Sequence, residues 1–317
     1  MYHFRHYLCL FLFISLVGCS LNNEPTDKNT TTEASDEPFL SITDFSNRTV
    51  SFQQHPEKIV ALGNGETDII YALGGDVVGR PTGEAVVKEA ENALEVGSTH
   101  SVDLEKITSL EPDVVLGNHP MNSKDIDSIE SIGAEMILTS ANSVDDINKQ
   151  ISMFGDLIGQ QKKADEIIYT INEKISDLEE TSSENKTRVL LIYGAPGTNM
   201  AALPNSLGGN ILELAGGINI ASDYPSLETY PQYAQLNTER IIEANPEIIL
   251  LMSHGDPEEV KDSFIQDMSK NAGWSELEAV KNNQFHILPS NLFGTNPGTK
   301  VIDALDYMHE LLEDVNK

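Results

Sequence analysis

A fifteen-residue pattern occurs twice in this chain. Residues 102–116 read Val-Asp-Leu-Glu-Lys-Ile-Thr-Ser-Leu-Glu-Pro-Asp-Val-Val-Leu, and residues 236–250 read Leu-Asn-Thr-Glu-Arg-Ile-Ile-Glu-Ala-Asn-Pro-Glu-Ile-Ile-Leu. They align without a gap, placing Glu105 on Glu239, Lys106 on Arg240, Ile107 on Ile241 and Pro112 on Pro246. Each copy spells a short helix, a proline break and a buried strand. The copies lie roughly half the 317-residue chain apart, far longer than a solenoid period. Two similar lobes are expected, and the length suits two domains.

The rest of the chain fits that division. Phe39 and the alternating Thr49-Val-Ser-Phe52 predict a strand pair. Ile59-Val-Ala-Leu62, a glycine turn and the helix-like stretch from Thr67 to Leu73 predict a βα unit. Ser143-Val-Asp-Asp146 resembles a capping box, followed at helical spacing by Ile147, Ile151, Phe154 and Ile158. After Gly159, a second helix carries Ala164, Ile167, Ile171, Ile175 and Leu178 on one face for about 30 Å. The strand Arg188-Val-Leu-Leu-Ile-Tyr193 then opens a new βα region. The expected organisation is a leader at 1–19, a polar tether at 20–37, an N-terminal lobe at 38–160, a connecting helix at 161–186 and a C-terminal lobe at 187–317. The fold class is α/β, with two Rossmann-like lobes joined by one long helix and a ligand cleft between them.

The first residues read as a targeting signal. Met1 to Arg5 is short and weakly basic, and the apolar run from Tyr7 to Val17 is too short to span a bilayer. Leu16-Val-Gly-Cys19 resembles the bacterial lipobox, whose cysteine becomes the lipidated, palmitate-bearing first residue of an exported protein. Cys9 falls within the leader, so the mature chain has neither a disulfide nor a cysteine nucleophile. The formal net charge is −30, and loss of Arg5 with the leader makes it more negative still. Such a surface repels nucleic acid and bare anionic lipid. Five arginines in the whole chain (Arg5, Arg48, Arg80, Arg188, Arg240) argue against a pocket for a polyanion.

Of the mature histidines, His55 precedes a proline, His286 sits in a strand and His309 on the last helix, where turn, packing or surface roles are ordinary. Three others lie at loop positions. His254 follows the buried run Ile248-Ile-Leu-Leu251, His119 follows Val114-Val-Leu116, and His100 stands just before the first repeat. Loops leaving the carboxyl ends of such strands are where α/β proteins bind ligands. Met121 adds a thioether beside His119, and Tyr224, Tyr230 and Tyr233 crowd the approach to the second repeat.

The strings Thr67-Asp-Ile-Ile-Tyr-Ala-Leu-Gly-Gly75, Val96-Gly97, Asp103-Leu-Glu-Lys-Ile107, Pro112-Asp-Val-Val115, Gly209-Asn-Ile-Leu-Glu-Leu-Ala-Gly-Gly217 and Thr238-Glu-Arg-Ile241, in that order, carry a family likeness. Over nearly all of the mature chain they resemble the cobalamin, siderophore and haem substrate-binding proteins of ABC importers. His254-Gly-Asp-Pro-Glu-Glu-Val260, with Leu292-Phe-Gly294, is most similar to the Gram-positive haem-uptake lipoproteins of the IsdE type. That resemblance implies haem as the transported ligand, with His254 as one axial ligand. The family's Gly-x-x-Met ligand pattern reads Gly97-Ser-Thr-His100 here, which turns His/Met ligation into His/His. His119 stands as the rival first-lobe ligand, and the three tyrosines with Arg80 as candidate pocket residues. Glu105 and Glu239 are implied to dock on a dimeric ABC permease. The implied setting is the outer face of the cell membrane, lipid-anchored through Cys19, with surface haem-relay proteins as further partners. A ferric siderophore is the alternative cargo. A chelatase-like or haem-degrading enzyme is disfavoured, because no nucleophile–base set is present.

Overall fold

The structure is a computed structural model that describes residues 38–181, 186–195, 197–253, 256–271 and 273–315. The leader, the tether, Cys19 and His254 lie outside the described residues. The described chain opens with an antiparallel hairpin, β1 (Leu40–Thr43) and β2 (Thr49–Phe52), whose alternating burial matches the sequence pattern. There follow β3 (Ile59–Ala61), α1 (Asn64–Ala72), β4 (Gly79–Arg80), β5 (Leu94–Glu95), α2 (Leu104–Leu110), β6 (Val114–Asn118), α3 (Ile126–Ser131), β7 (Glu135–Thr139) and α4 (Val144–Leu157). Strands β3 to β7 form one parallel sheet in the order β5-β4-β3-β6-β7. All loops at its carboxyl edge therefore leave on one side.

Helix α5 (Gln161–Thr181) connects the two sheets, burying Ala164, Ile171 and Leu178 while Ile167 and Ile175 are half-buried. The second half contains β8 (Arg188–Ala195), β9 (Thr198–Ala202), α6 (Leu207–Leu214), β10 (Ile218–Asn219), β11 (Tyr233–Gln235), α7 (Thr238–Ala244), β12 (Ile248–Ser253), α8 (Pro257–Met268), α9 (Glu278–Lys281), β13 (Phe285–Ile287), α10 (Ser290–Phe293) and α11 (Val301–Val315). Its sheet runs β11-β9-β8-β12-β13, with β10 beside the start of β8. β9 and β11 enter antiparallel, so this lobe departs from an all-parallel Rossmann pattern. The two-lobe α/β class read from the sequence is otherwise what the chain adopts.

The sequence repeat is a structural repeat. α2 and α7 are both seven residues long, each capped by an Asx side chain that accepts from the third helical N–H, Asp103 from Lys106 and Asn237 from Arg240. Both end in a left-handed residue, Glu111 at φ 48° and Asn245 at φ 46°, before the proline that admits β6 or β12. The capping box on α4 differs from its sequence reading in one bond. Ser143 accepts from Asp146 N at 3.1 Å, but the Asp146 carboxylate accepts from Asn142 N, one residue before the cap.

The lobes share one apolar core. Ile69, Leu116, Ile147 and Phe154 from the first half pack in the same cluster as Leu191, Leu250, Val301 and Leu305 from the second, with Ile171 of α5 between. Polar bonds reinforce this seam. The Asp68 carboxylate on α1 accepts from both Thr299 N and Thr299 Oγ1 at 2.7 Å, and Lys300 Nζ donates to Val86 O at 2.7 Å. The Asn296 amide donates to buried Gln150 at 3.0 Å, and Val144 N donates to Asn210 Oδ1 at 2.9 Å. Removing the Asp68 carboxylate leaves the Thr299 donors and the Lys300 charge uncompensated in the seam. Asp68→Ala is expected to lower unfolding stability by about 2 kcal/mol, the scale of hydrogen bonds to a charged group, because Thr299 and Lys300 are only half-buried. Urea melts measure it, and a loss below about 1 kcal/mol would show that the apolar core alone holds the lobes.

Candidate ligand-binding site

The carboxyl edge of the first sheet presents two of the candidate histidines. After β5 the chain makes a narrow hairpin in which Gly97 bridges Val102 and Ser98 and Ser101 exchange backbone hydrogen bonds of 2.9 and 3.1 Å. His100 sits exposed at its tip. The hairpin depends on Gly97, whose φ is +98° and where a Cβ would lie 2.2 Å from the Ser101 carbonyl oxygen. His119 is half-buried in the loop after β6, its backbone N–H donating to Thr139 O at 2.6 Å and its Nδ1 lying 3.2 Å from Ser123 Oγ. One fully buried side chain, Asn122, hydrogen-bonds both loops. Sequence reading passed over Asn122, whose only signal was an amide four residues beyond the end of an apolar strand.

In the second lobe, all six residues of β12 are buried, and the strand leads from Ser253 directly into position 254. Strand register places Tyr193 opposite both Met252 and Met200, and Met200 opposite Gln235, two residues beyond Tyr233. Side chains opposite one another share a face, so Tyr193, Met200, Tyr233 and Met252 line the same side near this edge. The Tyr193 and Tyr233 rings are tilted at a centroid distance of 5.1 Å. Burial, and then the neighbouring Tyr193 phenol, pushes Tyr233 up to about 12; burial and Tyr230 raise Tyr193. Both are neutral phenols rather than anionic ligands at physiological pH. Tyr193 is a second residue that sequence reading missed, since it reads there only as the end of an apolar strand.

Other candidates lie elsewhere. Tyr230 is 55% exposed. Tyr224 is buried among Ala201, Leu203, Ala221 and Ala234 with the Arg240 guanidinium 4.3 Å above its ring, so it packs inside the lobe. Arg80 is corrected as a ligand-facing base. Its guanidinium donates to the carbonyls of Ala90, Pro81 and Gly83 at 2.8 to 3.0 Å and to Glu95 at 3.2 Å, stapling the 81–95 segment. The other described arginines are engaged as well, Arg48 with Glu130, Arg188 with Glu278 and Glu247, and Arg240 with Asp223. His55, His286 and His309 hydrogen-bond Leu157 O, Gln284 and Ala215 O in packing roles. Glu105 and Glu239 occupy the same exposed first-turn position on α2 and α7. The cations beside them pair elsewhere, Lys106 with Asp103 and Arg240 with Asp223.

Two α/β lobes around one helix, with loops gathered at their carboxyl edges, match a known family over residues 59–292. This chain belongs to the periplasmic binding protein family. YvrC, an ABC transporter substrate-binding lipoprotein of Bacillus subtilis, is 28% identical over 312 residues, 95% of this chain and 94% of its own. IsdE, a high-affinity heme uptake system protein of Staphylococcus aureus, is 26% identical over 238 residues, 74% of this chain and 80% of IsdE. The IsdE structure complexed with heme superposes with a TM-score of 0.70 at 25% identity, covering 80% of this chain and 98% of that one. The petrobactin-binding protein YclQ of Bacillus subtilis superposes at 0.72 with 20% identity, over 86% of this chain and 98% of its own, a likeness of fold alone. These relatives are substrate-binding proteins, and this periplasmic binding protein is the substrate-binding component of an ABC importer.

This periplasmic binding protein also buries an acid at the first-lobe edge. The Glu66 carboxyl, in the first turn of α1, contacts the Thr139 hydroxyl, which lies 3.1 Å from Gly117 O. The Thr139 hydroxyl has one proton, which it can give to the Glu66 carboxyl or to Gly117 O but not to both. Burial pushes the Glu66 carboxyl above its ordinary value, and the Thr139 bond offsets part of that shift. A proton held in the fold but not in the unfolded chain stabilises fully below the ordinary value near 4.5 and less as pH rises through the raised one. Glu66→Gln, which carries an amide N–H in place of the acid proton, removes that dependence. The wild-type stability relative to this variant should fall steadily as pH is raised above 4.5, measured by urea melts at stepped pH. A difference that stays flat would mean the buried carboxyl is ionised throughout.

Proposed function

We propose that this periplasmic binding protein carries haem between its lobes, with His100 and His254 on opposite faces of the iron. It delivers that haem, anchored through Cys19 at the outer face of the cell membrane, to an ABC permease dimer. The observation that carries this reading is the placement of His100 at the exposed tip of a glycine-dependent hairpin on the carboxyl edge of the first sheet. His254 follows the last residue of β12, the corresponding edge of the second sheet. Porphyrin iron has two free axial positions, one per face, and a two-lobed protein can supply one ligand to each. Neutral imidazole is an apt donor, and the protein does no chemistry on its cargo. The likeness to IsdE supports the same cargo.

The arginines bear on the choice between haem and a siderophore. A carboxylate or catecholate siderophore presents several negative charges to its receptor, and arginine is well suited to answer them. Every described arginine here is already bonded within its own lobe. The neutral Tyr193–Tyr233 pair with Met200 and Met252 suits a flat apolar ring better than a polyanion. On the outside, Glu105 and Glu239, one on each repeat, suit docking to basic residues of the two permease subunits.

Mixing the protein with ferric haem should give a Soret band of six-coordinate, low-spin iron without a methionine-to-iron charge-transfer band. His254→Ala should lose most affinity, and His100→Ala should leave five-coordinate or water-ligated iron. If His119→Ala alters the spectrum and His100→Ala does not, the first-lobe ligand is His119. Haem should be released as pH falls, because protons compete with iron for imidazole. Glu105→Ala with Glu239→Ala should leave the Soret band and affinity unchanged and nearly abolish uptake by whole cells. Each single change should only slow uptake, as expected for exposed charges. Wild-type uptake by the double variant would reduce both glutamates to surface carboxylates.

A further inference from the structure

Asn122 has a role that neither ligation nor docking accounts for. It is fully buried, and its side chain amide is nearly saturated. Oδ1 accepts from Asn118 N at 2.9 Å, and Nδ2 donates to Thr99 O at 3.0 Å and to Asp125 Oδ2 at 2.9 Å. Both amide protons are thus in use. The bond to Thr99 joins residues 23 positions apart, from the loop after β6 to the hairpin after β5. Those two strands are separated in the sheet by β4 and β3, so the contact reaches across the top of the lobe.

The identity of the accepting carbonyl gives the bond its meaning. Thr99 O belongs to the peptide unit whose nitrogen is that of His100. The same unit is held at its other end, where His100 N donates to Ser98 Oγ at 3.3 Å. A planar peptide bonded at both its oxygen and its nitrogen cannot rotate without breaking one of them. That plane fixes the position of the His100 Cα, the point from which the side chain leaves the backbone.

We propose that Asn122 is the positioning residue for the first-lobe haem ligand, clamping the Thr99–His100 peptide so that the His100 side chain starts from a fixed place on the lobe. This rests on the haem reading above and deepens it. Asn122 also accepts from Asn118 N in the His119 loop, but His119 has further bonds of its own, through Thr139 O and Ser123. Partners that orient a metal's ligands typically change affinity about 10- to 100-fold when removed.

Asn122→Asp separates the two sides of the clamp. A carboxylate keeps the acceptor for Asn118 N but cannot donate to Thr99 O, and it faces the Asp125 carboxylate with like charge. The expected result on ferric haem is a shift from low-spin towards high-spin iron and haem loss about 10- to 100-fold faster. Added imidazole should restore the low-spin spectrum, which a general loss of folding would not allow. In the apo protein, amide exchange should rise for residues 97–102 and stay unchanged along β6. Ser98→Ala, which releases only the His100 N–H, should give a smaller shift in the same direction, and it carries the test alone if N122D does not fold. Haem binding with wild-type spectrum and off-rate in both variants overturns the positioning role and leaves the haem reading intact. A wild-type protein that leaves the spectrum of free haem unshifted overturns both.

Discussion

Apolar side chains of both halves and of the connecting helix pack into one cluster, and the position of each sheet edge follows from that packing. Ile147 and Phe154 of α4, Ile171 of α5, and Leu191, Leu250 and Val301 of the second half belong to the same core. Asp68, Gln150 and Asn210 then supply the polar bonds that a seam between two lobes would otherwise leave unsatisfied. Close-packed cores of this kind resist continuous deformation. Loops at the carboxyl edges are therefore carried on strands anchored in that shared core.

Charge is distributed in keeping with that frame. The chain is strongly acidic, and each of its described arginines bonds backbone carbonyls or carboxylates within its own lobe. What remains outside is mostly carboxylate, including the matched pair on α2 and α7. Near the second-lobe edge, the paired phenols are neutral by burial, and at the first-lobe edge burial favours the proton on Glu66.

The repeat was legible because its signals are local: an Asx cap, a left-handed residue and a proline, at matching positions in α2 and α7. The connecting helix was legible because Ala164, Ile171 and Leu178 recur at helical spacing. Arg80 reads in sequence as a lone base free to meet a ligand. It proves otherwise because the carbonyls it bonds belong to a loop whose path is set by β4 and β5. Tyr224 reads like its neighbours Tyr230 and Tyr233, and only packing separates the buried ring from the exposed one.

By itself the sequence determined the number of lobes, their α/β character, the helix between them and the three loops that carry candidate histidines. Periodicity, capping and internal repetition are properties of neighbouring residues, so they can be read along the chain. Only the tertiary structure decided that β9 and β11 run antiparallel, that Tyr193 stands beside Tyr233 and that Asn122 reaches across the sheet to Thr99. Each of these joins segments through space, in strand register or by one hydrogen bond. No spacing along the chain encodes such a contact until the core has brought the segments together.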